Sequence, residues 1–362
     1  MTIDTTPQYL PGDAAVEPIQ LVDEAGVLRD GARPRLGDDE VIEAYRWMLT
    51  ARRFDEKCWS LQRQGKLSTF APVVGQEGAV TGSAMALDPD RDWIVPQYRE
   101  LPAQLRHGVL PEAIILYRQG HPDGAAIPNG VNVLPYQVSL AAQIPHAVGI
   151  GWGMKLQDSD GVAVAYFGDG ASSEGDFHES LNFAGALALP VIFFLQNNQW
   201  AISTPRSQQS AAHDLAARAP GYGMPGVSVD GNDLIAVHKV MAEAVARARA
   251  GQGPTLIEAQ TFRLWAHTTA DDPTRYVDEA VKERWQAGDP LLRIRRYLEH
   301  RGRLDEASAV TLDDEVTDYI EQAFARAAAH PAASPSAVYE HVFADPTPAL
   351  ERQRAFGLGE DH

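Results

Sequence analysis

The chain has 362 residues, of which 44% are hydrophobic and 22% are charged, a composition typical of a soluble globular protein. Its formal net charge of −18 argues against a nucleic-acid-binding surface, which needs a basic face. No apolar run is long enough to span a membrane, and the single cysteine, Cys58, excludes an internal disulfide and favours a reducing compartment such as the cytoplasm.

The two ends of the chain differ in composition from its middle. Residues 1–36 contain many proline, aspartate and glycine residues and no long periodic run. They also lack a basic stretch followed by an apolar core, so we do not expect a secretory signal. We predict an N-terminal arm over 1–36 that lies over a partner subunit, one α/β domain over 37–330, and an extended, proline-rich C-terminal tail over 331–362.

Two helices are predicted at the start of the domain. The first runs from Asp38 or Asp39 to about Gln64, and Gly65 ends it. The second begins at the motif GQEG, residues 75–78, and contains many small residues. Small side chains permit close packing, so we expect this helix to lie directly against another element.

A short strand over 93–95 precedes the motif QYRE, residues 97–100. An arginine at the end of a strand can hold a diphosphate through its planar fork of N–H donors, and a tyrosine hydroxyl can add another. The alternative for Arg99 and Glu100 is an ordinary ion pair on the surface.

The next two segments are a loop and a helix. Residues 120–137 are loop by composition, and loops of this length in compact domains are often functional. Residues 139–157 are predicted to form a helix with a kink at Pro145. Its three alternating glycines match only part of the dinucleotide-binding fingerprint, because no strand precedes them and no acidic ribose partner follows. A nicotinamide dehydrogenase is therefore disfavoured.

The centre of the chain predicts one βαβ unit. Two apolar strands, 162–167 and 191–195, flank a helix that is expected to start with a capping box of Asp176 and Glu179 and to stop at Pro190. Gly-Asp-Gly follows the first strand and Gln-Asn-Asn follows the second. Ligands of open α/β sheets bind at the carboxyl ends of the strands.

Asp169 and Asn198 therefore lie at neighbouring strand ends in this prediction. A carboxylate and an amide carbonyl are hard oxygen ligands, and they suit Mg²⁺ with a substrate phosphate. Either motif alone is a common turn. Their occurrence together, one crossover apart, favours a magnesium–diphosphate site.

A polar loop follows two further predicted strands, 227–229 and 255–262, and contains the sequence HTTADDPTRY. His267 in this loop could donate a proton or orient a diphosphate. A solvent-exposed loop histidine is the alternative. Residues 277–302 and 304–330 then predict amphipathic helices.

The motifs GQEG, QYRE, GDG…NN and HTTADDPTRY occur in this order. Together they resemble the alpha subunit of the thiamine-diphosphate-dependent decarboxylating (first) component of 2-oxo acid dehydrogenase complexes, over about residues 40–350. The resemblance implies the thiamine-diphosphate-binding fold, a mostly parallel sheet with helices on both faces, plus a helical C-terminal region.

The resemblance also implies the residues of the site. The expected cofactor-binding residues are Tyr98, Arg99, Val138, Leu140, Gly168, Asp169, Gly170, Ala171, Asn198, Trp200 and His267. The metal ligands would be Asp169, Asn198 and the Trp200 carbonyl. His267 would be the catalytic residue, with Arg263 in support, and Gln97 and Phe70 would face the substrate. Gln196 is a departure, since some relatives carry an arginine there as a phosphate ligand.

The implied function is oxidative decarboxylation of pyruvate or a branched-chain 2-oxo acid, with acyl transfer to the lipoyl domain of an acyltransferase. The segment 127–135 resembles pyruvate-type relatives and favours pyruvate. A beta subunit would supply the glutamate that activates the cofactor, in an α2β2 heterotetramer. Two alternatives stay open, the alpha subunit of an acetoin dehydrogenase and a non-catalytic assembly subunit.

Overall fold

The computed structural model describes residues 17–340 and 342–359. Its helices are α1 (Asp38–Arg63), α2 (Glu77–Met85), α3 (Leu101–Arg106), α4 (Pro111–Arg118), α5 (Gln143–Leu156), α6 (Gly175–Ala186), α7 (Arg206–Gln209), α8 (Leu234–Arg249), α9 (Glu279–Ala287), α10 (Pro290–His300), α11 (Glu306–Ala328), α12 (Ala337–Glu340) and α13 (Pro348–Leu358). Its strands are β1 (Trp93–Val95), β2 (Ala163–Gly168), β3 (Val191–Asn197), β4 (Trp200–Ala201), β5 (Thr204–Pro205), β6 (Gly226–Asp230) and β7 (Thr255–Gln260).

Five strands form one parallel sheet in the order β1-β2-β3-β7-β6. All five predicted strands are confirmed, to within two residues at each end. The register pairs Gly168 with Gln196, so β2 and β3 end side by side. The residues that follow these two strands therefore emerge at the same edge of the sheet.

Helices cover both faces of this sheet. Successive side chains of a strand point to opposite faces. In β3, Ile192 and Phe194 pack into a core with α1, α2 and α8. The alternate residues Val191, Phe193 and Leu195 pack with α5 and α6. The predicted α/β fold with helices on both faces is confirmed, as is the helical region near the C-terminus.

Helix α2 packs tightly on α8, as its small residues predict. A Cβ atom at Gly82 would lie 2.7 Å from the carbonyl oxygen of Leu234 and 3.0 Å from the Cβ of Val237. Only glycine allows the two helices this approach. The contact fixes the GQEG end of α2 relative to the sheet.

Two predicted helix starts are wrong. Helix α5 begins at Gln143, so Pro145 lies in its first turn, where a proline removes no hydrogen bond of the helix and causes no kink. Helix α6 begins at Gly175 after the N-cap residue Glu174, without a side-chain capping bond. The expected capping box of Asp176 and Glu179 is absent because Asp176 already lies inside the helix.

The predicted tail also needs correction, and the predicted arm is described only in part. Residues 1–16 lie outside the described part of the chain. Residues 17–36 pack on their own domain: Ile19 bridges to Val229 of β6 in parallel, and the Asp233 carboxylate accepts from the backbone N–H groups of Leu21 and Val22 at 2.6 and 2.7 Å. The position of the arm over a partner subunit stays a prediction. The tail is not extended throughout, because Pro348–Leu358 forms α13 after the capping residue Thr347.

Within the described ranges, none of the helices combines the length and the apolar character that a bilayer crossing requires.

Candidate active site

A cavity of about 430 Å³ opens at the carboxyl ends of β1, β2 and β3. Twelve of the residues predicted for the site line it: Gln97, Tyr98, Arg99, Val138, Leu140, Gly168, Asp169, Gly170, Ala171, Asn198, Trp200 and His267. Residues from three separate motifs, QYRE, GDG…NN and HTTADDPTRY, thus meet in one place, because the parallel strands deliver them to the same edge of the sheet.

Asp169 lies at the end of β2 with only 1% of its surface exposed. One carboxylate oxygen, Oδ2, accepts from Nε2 of Gln209 at 2.9 Å. The other, Oδ1, is buried and has no hydrogen-bond partner among the described residues. Burial raises the pKa of this carboxyl to about 6. An unpartnered oxygen of this kind is what a cation would satisfy.

The chain turns sharply after Asn198. Gln199 adopts a left-handed conformation with φ of 74°, which costs a non-glycine residue about 1 kcal/mol. The amide of Asn198 is held at both ends: its Nδ2 donates to Oε1 of Gln76 at 3.1 Å, and its Oδ1 accepts from the Trp200 N–H at 3.2 Å. The Arg206 N–H donates to the Gln199 carbonyl at 2.9 Å, so the adjacent pair of Trp200 and Pro205 is a non-hydrogen-bonded pair and the Trp200 carbonyl points away from β5.

Gly170 follows Asp169 and must stay small. A Cβ at this position would lie 2.8 Å from the Cβ of Ala201, on the turn that carries Trp200. The two turns, one after β2 and one after β3, therefore contact each other directly. This contact brings the three predicted metal ligands to one side of the cavity.

Arg99 is buried rather than part of a surface ion pair, and 6% of its surface is exposed. Its Nη1 donates to the carbonyl of Pro72 at 2.6 Å, and its Nη2 donates to the carbonyl of His267 at 2.7 Å. Burial lowers the pKa of Arg99. Tyr98 is half-buried beside it, with its ring 5.3 Å from the guanidinium carbon.

His267 has a defined tautomer. Two guanidinium groups face its Nδ1 atom, Nη2 of Arg99 at 3.0 Å and Nη1 of Arg263 at 3.3 Å. Guanidinium nitrogens only donate, so Nδ1 accepts and the proton of the neutral ring is on Nε2. Burial and these two cations lower the pKa of His267 to about 3. The lowered pKa favours the neutral ring, which has Nε2–H as its donor.

Arg263 supports this arrangement from the start of the loop. Its Nη2 donates to the carbonyl of Ile202 and to the hydroxyl of Tyr276, both at 2.7 Å. Burial and the nearby Arg99 lower its pKa to about 10. Its predicted supporting position is consistent with these contacts.

Several residues around the site lay beyond the sequence prediction, among them three that hold predicted site residues in place. Glu100 is buried, and its carboxylate accepts from the backbone N–H groups of Gln97 and Arg99 and from Nε2 of Gln196 at 2.6 Å. Gln76 and Gln209 hold Asn198 and Asp169. Gln76 and Glu100 stand inside quoted motifs, but no local pattern in the sequence pairs them with residues more than ninety positions away.

Phe70 does not line the cavity. It is 4% exposed and packs in the core with its ring 6.3 Å from that of Phe54. Its neighbours Thr69 and Ala71 line the cavity instead. The prediction that Phe70 faces the substrate is wrong, because this segment turns its aromatic side chain inward.

The sequence of this chain is similar to those of known proteins. The profile of the family described as "Dehydrogenase E1 component" matches residues 45–336. The 3-methyl-2-oxobutanoate dehydrogenase subunit alpha of Mycobacterium tuberculosis is 44% identical over 350 residues, 94% of this chain and 93% of the relative.

Two further relatives carry a different name. The pyruvate dehydrogenase E1 component subunit alpha of Staphylococcus aureus is 44% identical over 292 residues, covering 80% of this chain and 79% of the relative. The protein of the same name from Bacillus cereus is 42% identical over 316 residues, covering 87% and 85%. With a family match over most of its length and relatives above 40% identity, this chain belongs to the dehydrogenase E1 component family.

Proposed function

We propose that this chain is the alpha subunit of a 2-oxo acid dehydrogenase and holds the diphosphate and metal half of a thiamine diphosphate site. Family membership implies the cofactor. The observation that carries the proposal is the unpartnered Oδ1 of Asp169, buried in the cavity beside Asn198 and the Trp200 turn. The reaction would be oxidative decarboxylation of a 2-oxo acid with acyl transfer to a lipoyl group.

The donor set supports magnesium as the ion. Asp169, Asn198 and the Trp200 carbonyl offer only oxygen atoms, which Mg²⁺ prefers, and Mg²⁺ takes its remaining ligands from water and phosphate. The ion would neutralise both the buried carboxylate and the diphosphate. Arg99 and Tyr98, on the β1 side of the same cavity, would donate to the diphosphate.

The chain's own residues orient the reactants. Thiamine diphosphate, when bound, supplies the electron sink that decarboxylation needs. His267, fixed by two arginines, would present its Nε2–H to the reacting oxygen or to the incoming lipoyl group. Glu100 fixes the Gln196 amide with its nitrogen toward the carboxylate, so that the buried Oε1 of Gln196 is left as an acceptor. This amide therefore gives the diphosphate neither the positive charge nor the N–H donors that an arginine would give it.

The proposed partners follow from the family and from the names of the relatives. Those names designate alpha subunits, which supports a beta subunit as partner in an α2β2 assembly. The beta subunit would complete the site with the glutamate that activates the cofactor. A lipoyl domain of an acyltransferase would accept the acyl group. Cys58, the single cysteine, is buried and unpaired, which is consistent with a cytoplasmic location.

The substrate is a 2-oxo acid of one of two types. The relatives at 44% identity include a 3-methyl-2-oxobutanoate enzyme and a pyruvate enzyme, so they favour neither. The preference for pyruvate from residues 127–135 stays a prediction. An acetoin dehydrogenase shares the cofactor and remains the second candidate.

Calorimetry with the co-expressed α2β2 complex tests the metal assignment. Thiamine diphosphate should bind in the presence of Mg²⁺, and Asp169→Ala should abolish the magnesium-dependent part of the affinity because the ion loses its one charged ligand. Asp176→Ala, an exposed acid in α6, is the matched control and should bind as the wild type does. Unchanged affinity in Asp169→Ala would refute the assignment.

A further inference from the structure

Arg118, the last residue of α4, is a buried cation without a counter-ion among the described residues. Only 8% of its surface is exposed. Its Nε is buried and unpartnered, and the described residues provide its guanidinium with neither a carboxylate within 4.0 Å nor a hydrogen bond. The side chain nevertheless lines the cavity of the active site.

Aromatic rings surround this guanidinium. Its central carbon lies 5.5 Å from the ring centres of Phe70 and Tyr117 and 5.1 Å from that of Tyr136. Cation–π contacts of this kind offset part of the loss of hydration. The rings do not accept hydrogen bonds from the N–H groups in the plane of the guanidinium, and a buried charge without hydrogen bonds is costly. An anion with two oxygen acceptors in the plane of the guanidinium would therefore stabilise this side chain.

The position of Arg118 separates it from the metal side of the cavity. Asp169 and Asn198 stand at the ends of β2 and β3, whereas Arg118 enters from α4 and is packed against Phe70. Arg118 is close enough to Arg99 to add to the lowering of the pKa of Arg99 that burial begins. The cavity thus has two separate cationic groups, of which Arg99 lies beside His267.

We propose that Arg118 binds the carboxylate of the 2-oxo acid substrate through the planar fork of its guanidinium. The inference rests on the proposed function, which brings a small carboxylate into this cavity. A guanidinium matches a carboxylate with two parallel hydrogen bonds. The rings of Phe70, Tyr117 and Tyr136 hold the side chain in place and exclude water around it, which strengthens the ion pair.

This role has a consequence for substrate choice. A cation that needs an anion selects a charged 2-oxo acid over neutral acetoin, because acetoin would leave the guanidinium unpaired. The role also predicts that the ion pair contributes to substrate binding rather than to the chemical step. The carboxylate leaves as neutral CO₂, so the ion pair strengthens substrate binding and weakens as the bond breaks.

The test uses the α2β2 complex with saturating thiamine diphosphate and Mg²⁺. In Arg118→Met, the KM for pyruvate or 3-methyl-2-oxobutanoate should rise about ten- to hundredfold, the range for loss of a charge-assisted hydrogen bond, and kcat should change much less. Arg118→Lys keeps the charge without the fork, so its KM should lie between those of the wild type and Arg118→Met. Calorimetry should give the same affinity for thiamine diphosphate in all three proteins.

Arg63→Met is the matched control. Arg63 also lies over an aromatic ring, 5.6 Å from Trp59, but is exposed and lies outside the cavity, so its KM should equal that of the wild type. An unchanged KM in both Arg118 variants would overturn the inference, as would a loss of cofactor affinity with an unchanged KM, which would assign Arg118 to the diphosphate. A wild-type complex that decarboxylates neither acid would instead contradict the proposed function itself.

Discussion

At the scale of single residues, the site contains titratable groups whose pKa values are shifted far from their ordinary values by burial. Asp169 has a raised pKa of about 6, and His267 has a lowered pKa of about 3. Each shift disfavours the charged form of the group in the cofactor-free protein. Perturbed groups that share a cavity are typical of functional sites.

The Asp169 carboxyl should make the cofactor-free protein less stable above pH 6. Its folded pKa of about 6 lies above the ordinary value of 3.8, so the folded state holds the proton more tightly and loses stability as pH rises from about 4 to 6. Asp169→Asn removes this ionisation. At pH 7 the variant should be more stable than the wild type by up to about 3 kcal/mol, since one pKa unit corresponds to about 1.4 kcal/mol.

Thermal unfolding of the cofactor-free protein at several pH values measures this difference. The gap in Tm between Asp169→Asn and the wild type should be largest at pH 7 and should shrink as the pH falls toward 4. A gap that does not depend on pH would show that the Asp169 carboxyl ionises normally.

His267→Ala should leave cofactor binding largely intact and slow acyl transfer to lipoyl groups. The side chain offers one N–H donor to the cavity, and removal of such a donor typically costs about a hundredfold in rate. Steady-state acylation of a lipoyl domain gives the rate, and calorimetry gives the cofactor affinity. His300→Ala, at the end of α10, serves as control. A wild-type acylation rate in His267→Ala would refute this role. If the wild-type pH–rate profile has an inflection near pH 6.5 that is absent in His267→Ala, the histidine titrates and the assignment of a neutral ring is contradicted.

At the scale of elements, the strands could be predicted and several element ends could not. Buried parallel strands such as β2 and β3 are continuous apolar runs, which are visible in any sequence. The start of α5 depends on how residues 138–142 pack at the cavity, and local propensity does not contain that information. Residues 17–36 lack periodicity because single residues, such as Ile19 and Val22, make their contacts with the domain.

The same distinction between local sequence and long-range packing applies to the predicted site. Asp169, Asn198, Arg99 and His267 follow recognisable strand ends or motifs, and the structure brings them to one cavity. The Glu100–Gln196 hydrogen bond and the isolation of Arg118 depend on contacts between distant segments. Patterns within short segments of the sequence cannot identify these contacts.

The contact between α2 and α8 can be tested through its glycine. Gly82→Ala should lower the stability by about 1–3 kcal/mol, because the added Cβ would lie 2.7 Å from the carbonyl oxygen of Leu234, a backbone atom that cannot turn away. Gly221→Ala, exposed with no atom within 4 Å of the added Cβ, should have little effect. Tm values of the two variants provide the comparison, and equal values would show that the helices have room to separate.

At the scale of the whole molecule, the α/β domain would hold the proposed half of a catalytic site. The sheet places the proposed metal ligands, the arginines and His267 around one cavity, and the exposed rim of that cavity includes Val138 and Ile202. The activating glutamate that the proposed reaction needs would come from the beta subunit. We therefore expect the isolated chain to be inactive.

The most direct test of the account is the release of CO₂ from pyruvate and 3-methyl-2-oxobutanoate, and of acetaldehyde from acetoin, by this chain, alone and co-expressed with its beta subunit. Thiamine diphosphate and Mg²⁺ are supplied in each assay. The account predicts CO₂ from at least one of the two 2-oxo acids with the co-expressed complex, no acetaldehyde from acetoin, and no activity of the isolated chain. A complex that binds the cofactor and releases CO₂ from neither acid would contradict it.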